Sequence, residues 1–440
     1  MQKHKFFHLI VLLLCFSGKE TFSQSDTVSF SELFAEALNN NFGIRITRNN
    51  AALADNSNTL GNAGFLPEMN ITSALGRTVN NTKQQFFDPT RPPVERTDAK
   101  SISMNAIAEL TWTVFDGFRM FATKEKLEEL DRIGQLNVRW QIENIYVGLA
   151  ILYYQLSQEQ KLQHVLETII DISRARLALA EKKFQVGSAS ELDLNQAKID
   201  FSTDSALLLS HQVMIRNLIA DIDVMIGRSP EIIFYADYNF GLNTEIIYEQ
   251  LIDNLQQQNV DLLIARSQMD VFYQQVRESR SVFLPTIRAY GTYSFSKQEN
   301  EVGVILLNRN RGYGYGLRLN YNLFNGFNKR MDVENARINY ESSEINSQQV
   351  LLQSEADLYK TYNGYAYSLQ AISLERVNLQ HTRQNLNIAF EKYRLGAINE
   401  IDFRNIQRTA LEAENRLLTA EYQAKIAEIN MLQLSGGLSL

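Results

Sequence analysis

The feature that most constrains this sequence is a long internal repeat. The pentapeptide VFDGF at residues 114–118 returns 209 residues later as LFNGF at residues 323–327. At the same offset, FQVGSASELDL (residues 184–194) falls on YRLGAINEIDF (residues 393–403). A chain with two copies of one unit builds its fold from two copies of one supersecondary arrangement.

The two copies differ in length between two shared motifs. The tripeptide FLP occurs at residues 65–67 and 283–285, an offset of 218 residues, so the first copy is longer before the pentapeptide. Extra length at one place indicates a surface loop that tolerates insertion. We predict a signal segment, a first repeat, a linker and a second repeat at residues 1–23, 24–229, 230–243 and 244–440.

The N-terminal segment has the pattern of a secretory signal. Basic residues precede an apolar stretch at residues 6–16, and the small-x-small triplet at residues 21–23 follows it. The apolar stretch is shorter than the roughly 18 residues that a transmembrane helix needs. Cys15 offers the alternative of a lipid anchor, although Leu14 stands where a small residue is preferred. Cleavage near Ser23 leaves no cysteine for disulfides or metal binding.

The composition argues against a nucleic-acid partner and against an enzyme. The chain has 43 basic and 50 acidic residues, whereas nucleic-acid-binding domains carry clustered positive charge. His164, His211 and His381 are isolated within helical patterns, with no second metal ligand at a suitable spacing. No phosphate-binding glycine motif occurs. We expect no nucleic acid, no catalytic residue, no metal and no cofactor.

Apolar and polar residues alternate between FLP and the pentapeptide. Residues 102–114 alternate in the first copy, with Ile107 as the one apolar residue on the polar side, and residues 313–323 alternate in the second. A period of two with one apolar face is typical of a β-strand. The pattern predicts β-hairpins at residues 65–115 and 283–324, with long polar loops at 79–100 and 297–311.

After each pentapeptide the period becomes helical. Residues 119–186 and 328–395 contain no proline, and one helix of that length would reach about 100 Å. Gly187 and Gly396 then indicate tight reversals, because glycine tolerates the positive φ that ends helices. The sequence predicts helical hairpins at residues 119–227 and 328–435, with tips at these two glycines.

A further helix is predicted before each FLP. Ser29 and Glu32 have the spacing of a capping box at the start of the first one. Pro67 and Pro285 are expected to end these helices before the strands begin, because the residue before proline disfavours the helical conformation.

The apolar face of each hairpin has two possible partners. In a soluble α+β protein it would pack on the helices, but helices of about 100 Å cannot be covered by two short hairpins. In a membrane it would contact lipid, and the strands would close into a barrel. Four strands are too few for a water-filled barrel, so several copies would share one. A secreted, soluble coiled-coil scaffold remains the alternative.

The doubled order of motifs resembles the TolC family of outer membrane efflux proteins. That order is helix, FLP, hairpin, (D/N)G, long helix, G-x5-D and returning helix, and it covers nearly the whole chain after the signal segment. The resemblance implies an α+β membrane protein in which a homotrimer shares a 12-stranded transmembrane β-barrel, with coiled-coil helices forming a periplasmic α-barrel. It implies an outer membrane location, a periplasmic adaptor (membrane fusion protein) and an inner-membrane pump as partners. Substrates would leave passively, by efflux or type I secretion.

The resemblance also assigns residues near the helix tips. Gly187, Ser188, Gly396 and Ala397 would contact the adaptor. Asp193 and Tyr393 match a gate pair, and Asp402 matches an acidic ring at the entrance. Ile398 stands where an arginine would hold Asp193, and Asn405 where a second acidic ring would lie, so Arg394 or Arg404 could supply other closing contacts. Alternatively, Asp193 and Asp402 cap the returning helices.

Other residues are assigned to the strand ends. Asp116, Gly117, Asn325 and Gly326 would form the strand-to-helix corners, and Pro67 and Pro285 the helix-to-strand corners. Trp112 and Tyr321 would form an aromatic girdle at the lipid–water boundary, unless they pack beneath the helices. Glu109 and Arg318 would face the lumen, because a charge facing lipid is costly.

Overall fold

A computed structural model of the chain describes residues 27–230, 233–237 and 240–438. The predicted signal segment, with Cys15, and part of the predicted linker lie outside the described residues. The elements are β1 (Thr27–Val28), α1 (Phe30–Asn40), α2 (Phe42–Ser57), β2 (Glu68–Gln84), β3 (Val94–Phe115), α3 (Arg119–Gln185), α4 (Glu191–Ile226), β4 (Tyr235–Ala236), α5 (Tyr248–Gln258), α6 (Val260–Ser281), β5 (Thr286–Asn300), β6 (Leu307–Asn320), α7 (Asn328–Arg394) and α8 (Glu400–Ser435). None of these helices has the length and apolarity needed to cross a membrane.

The chain forms two compact units, and each draws segments from both copies of the repeat. Among the described residues, the tip unit comprises 27–35, 152–230, 233–237, 240 and 377–419. The sheet unit comprises residues 36–151, 241–376 and 420–438.

The sheet unit holds a four-stranded antiparallel sheet in the order β2-β3-β5-β6. The two hairpins of the repeat lie side by side, because β3 of the first pairs with β5 of the second. Along one row, Leu110 pairs with Met69 and Gly291, and Gly291 pairs with Tyr315. Within the described residues, the outer edges of β2 and β6 have no partner strand.

The hairpin loops predicted at 79–100 and 297–311 are longer than those in the structure, so this prediction is wrong. Backbone pairing continues to Gln84 and Val94 in the first hairpin, past a register shift between Asn80 and Thr82. In the second hairpin it continues to Glu299 and Leu307. These segments are polar on both faces, so they lack the hydrophobic alternation on which the prediction relied. Backbone hydrogen bonding forms a ladder there without an apolar face.

One face of the sheet is apolar and exposed. Its large exposed side chains are Met69, Ile71, Leu75, Ile102, Met104, Leu110, Trp112, Tyr293, Tyr313, Tyr315, Leu317 and Leu319. The opposite face carries mainly hydroxyl, amide and glycine residues, together with Glu109 and Arg318. This separation follows from the period of two in a pleated strand.

The segment before each FLP contains two helices where one was predicted. The breaks fall at Asn41 and Asn259, whose side-chain oxygens accept hydrogen bonds from the amides of Ile44 and Leu262, both at 2.9 Å. Each asparagine therefore caps the second helix of its pair. At the start of α1, Ser29 and Glu32 form the predicted capping box.

The prolines of the FLP motifs precede strands without ending helices. Helix α2 ends at Ser57 and α6 at Ser281, whereas Pro67 and Pro285 directly precede β2 and β5. The expectation that proline ends these helices is wrong.

Strand β6 stops at Asn320, the partner of Thr286, so Tyr321 lies outside it. Pro285 has no N–H with which to extend the ladder.

Candidate functional site

The repeated pentapeptide forms the corner between a strand and a long helix. The carboxylate of Asp116 accepts a hydrogen bond from the amide of Met120 at 3.0 Å. Asn325 Oδ1 accepts the equivalent bond from Lys329 at 3.3 Å. In each copy this side chain satisfies an amide at the start of α3 or α7 that has no partner within the helix.

Two consecutive residues in each corner have positive φ. Gly117 and Gly326 have φ of 74° and 67°, and Phe118 and Phe327 have φ of 68° and 67°. A phenylalanine in this region is strained by roughly 1–2 kcal/mol. The strain occurs in both copies and was not foreseen from the sequence.

The strained phenylalanines belong to edge-to-face ring pairs. The ring centroids of Phe115 and Phe118 lie 5.3 Å apart with an interplanar angle of 87°. Phe324 and Phe327 form an equivalent pair at 5.3 Å and 89°. Phe118 and Phe327 remain largely exposed. The repeated F-x-x-F spacing is the sequence signal that could have revealed them.

The other residues predicted at the strand ends lie on opposite faces of the sheet. Trp112 is on the apolar face and donates a hydrogen bond from Nε1 to the Phe65 carbonyl oxygen at 2.9 Å. Trp112 and Tyr321 are 46% and 48% exposed, which excludes burial beneath helices. Glu109 and Arg318 lie on the polar face, where the Arg318 guanidinium is 5.4 Å from the Tyr290 ring.

Within the tip unit, the two glycine turns have the same geometry. Gly187 and Gly396 both have φ of 75°. The amides of Ser188 and Ala397 donate to the carbonyl oxygens of Lys183 and Lys392, each at 2.8 Å. These bonds satisfy carbonyl groups at the helix ends. All four predicted tip residues are exposed.

Asp193 caps α4. Its carboxylate accepts bonds from the amide and hydroxyl of Ser190 at 2.9 and 2.8 Å, and its amide donates to Ser190 Oγ at 3.2 Å. The bonds from the Ser190 amide and hydroxyl lower the pKa of Asp193. Asp402 occupies the equivalent place in α8, where Asn399 Oδ1 accepts from the Asp402 amide at 2.8 Å, as Ser190 Oγ accepts from the Asp193 amide.

Tyr393 is buried and lies beside cations. Its ring centroid is 5.3 Å from that of Phe403, 5.0 Å from Lys183 Nζ and 5.9 Å from the Arg176 guanidinium. Burial raises the pKa of the Tyr393 hydroxyl. Among the described residues no hydrogen bond joins Tyr393 to Asp193, so one chain alone does not form the predicted gate pair.

A cluster of buried charged residues lies in the tip unit, between the helices that flank the two turns. We call it the tip cluster; its members are Ser173, Arg176, Asp200, Asp204, Glu400, Arg404 and Gln407. Arg176 is 1% exposed. It donates to Asp200 Oδ2 and Gln407 Oε1, each at 2.9 Å, and forms an ion pair with Glu400.

The second half of the tip cluster centres on Asp204. Arg404 donates to both carboxylate oxygens of Asp204 at 2.8 Å, and Ser173 Oγ lies 2.5 Å from Asp204 Oδ2. Arg404, predicted as another closing contact of the entrance, forms its ion pairs with Asp204 and Asp200 of its own chain. Arg394, the other such residue, pairs with Glu391 in its own helix.

Comparison with known proteins matches this architecture over most of the chain. A family model described as outer membrane efflux protein matches residues 33–217 and 251–437. The outer membrane protein TolC of Escherichia coli (strain K12) is 20% identical, covering 78% of this chain and 72% of that protein. The probable outer membrane lipoprotein SilC of Salmonella typhimurium is 21% identical, covering 92% of this chain and 85% of that protein.

A solved structure shows the same fold. The outer membrane protein VceC of Vibrio cholerae matches with a TM-score of 0.75 at 16% identity, covering 93% of this chain and 96% of that chain. The doubled hairpins and helices therefore define a TolC-like outer membrane channel. The family match covers well over half of the chain, so this protein belongs to the outer membrane efflux protein family. Its predicted outer membrane location and role in efflux are confirmed, and a soluble scaffold is not supported.

Proposed function

We propose that three copies of this chain close their sheets into one 12-stranded transmembrane barrel, through which exported compounds leave passively. The observation that carries the proposal is the exposed apolar face beside two unpaired edges. Strands β2 and β6 are 17 and 14 residues long, and neither has an outer partner within the described chain. Long open edges favour uncontrolled pairing in water. Pairing β6 of one copy with β2 of the next satisfies both edges.

The side chains on the apolar face support lipid as its environment. Ile71, Leu75, Tyr313 and Tyr315 are each at least 75% exposed in the single chain. Exposed apolar area costs roughly 25 cal/mol per Å² in water, and lipid removes that cost. Glu109 and Arg318, on the other face, would then line a water-filled lumen.

The position of Trp112 gives a direct test of lipid contact. The chain has two tryptophans, so Trp140→Phe leaves Trp112 as the sole tryptophan, which is excited selectively at wavelengths that tyrosine does not absorb. In liposomes, brominated acyl chains should quench Trp112 emission, most strongly when the bromines lie near the headgroups. The matched variant, Trp112→Phe, leaves Trp140 in α3 and should be quenched little. Equal quenching of both tryptophans would contradict the proposed membrane position.

Channel formation is tested separately. Reconstituted trimers should give discrete conductance steps in a planar bilayer, and native mass spectrometry should give three times the chain mass. A stable monomer without conductance would overturn the shared barrel. Each repeat, 24–229 and 244–440, would contribute one hairpin to the barrel and one helical hairpin to a periplasmic tunnel.

We infer that the glycine turns contact a periplasmic adaptor, which connects the channel to an inner-membrane pump. Two features of the turns support this inference: both are exposed, and both have the same geometry. Gly187 and Gly396 have the same φ, and open space surrounds each of them. A cysteine with a photoreactive crosslinker at Ser188 or Ala397 should capture the adaptor in cells. Ser202→Cys, on an exposed position of α4, is the control. Equal capture at all three positions would contradict a specific contact at the tips.

We also propose that Asp402, Asp193 and Tyr393 belong to the entrance of the tunnel. Three copies would place three Asp402 carboxylates in one ring, which attracts cations. Asp402→Asn should lower the cation preference of the channel, measured by reversal potentials in a salt gradient. An unchanged preference would remove Asp402 from the entrance. Efflux follows from the family, and polypeptide secretion is the second candidate within the same design.

A further inference from the structure

The end of the apolar sheet face that lies near the hairpin loops carries a concentration of positive charge. We call it the basic belt; its members are Arg77, Lys100, Lys297, Arg309 and Arg311. Register places them on the apolar side, since Arg77 pairs with Ile102, Lys297 with Met104 and Arg311 with Phe295. In these rows, Glu299 is the only acidic strand residue on that side.

The opposite face of the same rows is uncharged. It presents Gly76, Thr78, Ser101, Ser103, Asn105, Ser296, Gln298, Asn300, Asn308 and Asn310. If the charges only marked the point where the strands enter water, both faces would carry them. The asymmetry indicates an anionic partner on the outer side.

Most of the basic residues have no ion-pair partner among the residues that the structure describes. Arg309 and Lys297 are directly opposite each other in the β5–β6 ladder, and like charges in that position destabilise a sheet. Lys297 pairs with Glu299. Arg77, Arg309 and Arg311 form no ion pair with any residue that the structure describes. An anion that bridges these side chains would offset their repulsion.

The boundary between apolar and basic residues moves toward the loops from β6 through β5 to β3, and on β2 it steps back by one row, to Arg77 beside Ile102. On β6 the first basic residue is Arg311, in the row of Phe295. On β5 it is Lys297, one row further toward the loops, and on β3 it is Lys100, beyond Ile102. A membrane surface crosses the tilted strands of a barrel along such a diagonal. From β6 to β3 the belt therefore follows one level of a bilayer, immediately above the apolar band.

We propose that the basic belt binds the phosphate groups of phosphorylated lipids in the outer leaflet of the outer membrane. The proposal rests on the membrane barrel proposed above, which places the hairpin loops outside and the long helices in the periplasm. Arginine presents several donors in a geometry that matches phosphate oxygens. A cavity of about 390 Å³ beside the belt has both basic and apolar side chains in its lining. The lining includes Arg77, Lys100, Ile102 and Leu306, together with Glu299 and Glu301.

The test compares two triple variants with equal loss of charge. Lys297→Gln/Arg309→Gln/Arg311→Gln removes the centre of the belt. Lys83→Gln/Arg91→Gln/Arg96→Gln removes three bases nearer the loop. Purified trimers in detergent are titrated with diphosphorylated lipid A, with dephosphorylated lipid A and with inorganic phosphate. Bound lipid is counted by native mass spectrometry, and the melting temperature is recorded in parallel.

Wild-type protein and the loop variant should bind diphosphorylated lipid A at least 10-fold more tightly than the belt variant does. Removing the lipid phosphates should weaken binding to wild type by a similar factor, and the melting temperature should rise only when lipid is bound. Equal binding by the belt variant would overturn the proposal. Equal affinity for inorganic phosphate would assign the belt to a free anion.

The conductance of the belt variant separates this proposal from the barrel itself. Channels of normal conductance with unchanged lipid binding would contradict only the lipid site. Absence of channels from wild-type protein would contradict the barrel, whatever the lipid binding.

Discussion

Arg176 and Asp200 form a buried ion pair in the tip unit, with Nη2 and Oδ2 2.9 Å apart and side-chain exposures of 1% and 8%. The pair joins α3 to α4 across the first turn. Arg176 also bonds to Gln407 and Glu400 in α8, so a single guanidinium links three helices. A buried charge that loses its partner is strongly destabilising.

We expect Arg176→Met to destabilise the tip unit by about 3–5 kcal/mol, because it leaves Glu400 buried without its cation and Asp200 with only the more distant Arg404. Hydrogen exchange of α3 and α4 amides near the tip should accelerate by at least about 100-fold, since each 1.4 kcal/mol is a factor of ten. Arg174→Met is the control: its ion pair with Asp171 is exposed and should contribute under about 1 kcal/mol. Equal acceleration in both variants would contradict a special role for the tip cluster.

The two corner glycines should differ in their tolerance of alanine. Both have positive φ, which costs an alanine about 1 kcal/mol. At Gly117 a Cβ atom would also overlap the Ser281 carbonyl oxygen and lie 2.9 Å from Leu284 Cβ, whereas at Gly326 nothing lies within 4 Å. Gly117→Ala should therefore lower the yield of heat-resistant trimer on gels several-fold more than Gly326→Ala. The reverse order would refute the packing difference.

The cap at Asp193 predicts a pH dependence of local stability. Because the folded pKa is lowered, the cap stabilises α4 fully at neutral pH, and its contribution is lost as the pH falls through that pKa. Asp193→Asn should accelerate hydrogen exchange in the first turn of α4 at pH 7, and the difference from wild type should shrink below pH 3.8. Asp402→Asn, where Asn399 is the cap, should change α8 less. A difference from wild type that does not depend on pH would contradict the ionised cap.

The break between α5 and α6 depends on Asn259. Its side chain accepts from the Leu262 amide and donates to the Leu434 carbonyl oxygen, both at 2.9 Å. Asn259→Ala removes both bonds in a buried place and should cost about 2–3 kcal/mol. Asn259→Ser retains a cap acceptor and should cost about half as much. Chemical unfolding followed by circular dichroism would detect the order, and equal losses would show that the cap does not contribute.

Local sequence patterns predict most elements of this fold. The period of two predicts the two hairpins, and Gly187 and Gly396 predict the turns at the helix tips. Both signals depend only on a few neighbouring residues. The polar ends of the strands were missed, since backbone pairing there has no hydrophobic signature. The two helix breaks were missed because Asn41 and Asn259 reveal their capping role only through buried bonds.

The sequence by itself determined the repeat, the family and the order of the main elements. Each of these follows from short motifs and from the spacing of residues within them. Only the tertiary structure decided which charges meet. Arg176 and Glu400 are 224 positions apart in the chain, and Arg77 and Arg309 are even further apart. No local sequence pattern predicts contacts between residues so far apart in the chain. Helix packing brings Arg176 and Glu400 into one buried cluster, and strand register places Arg77 and Arg309 on one face of the sheet.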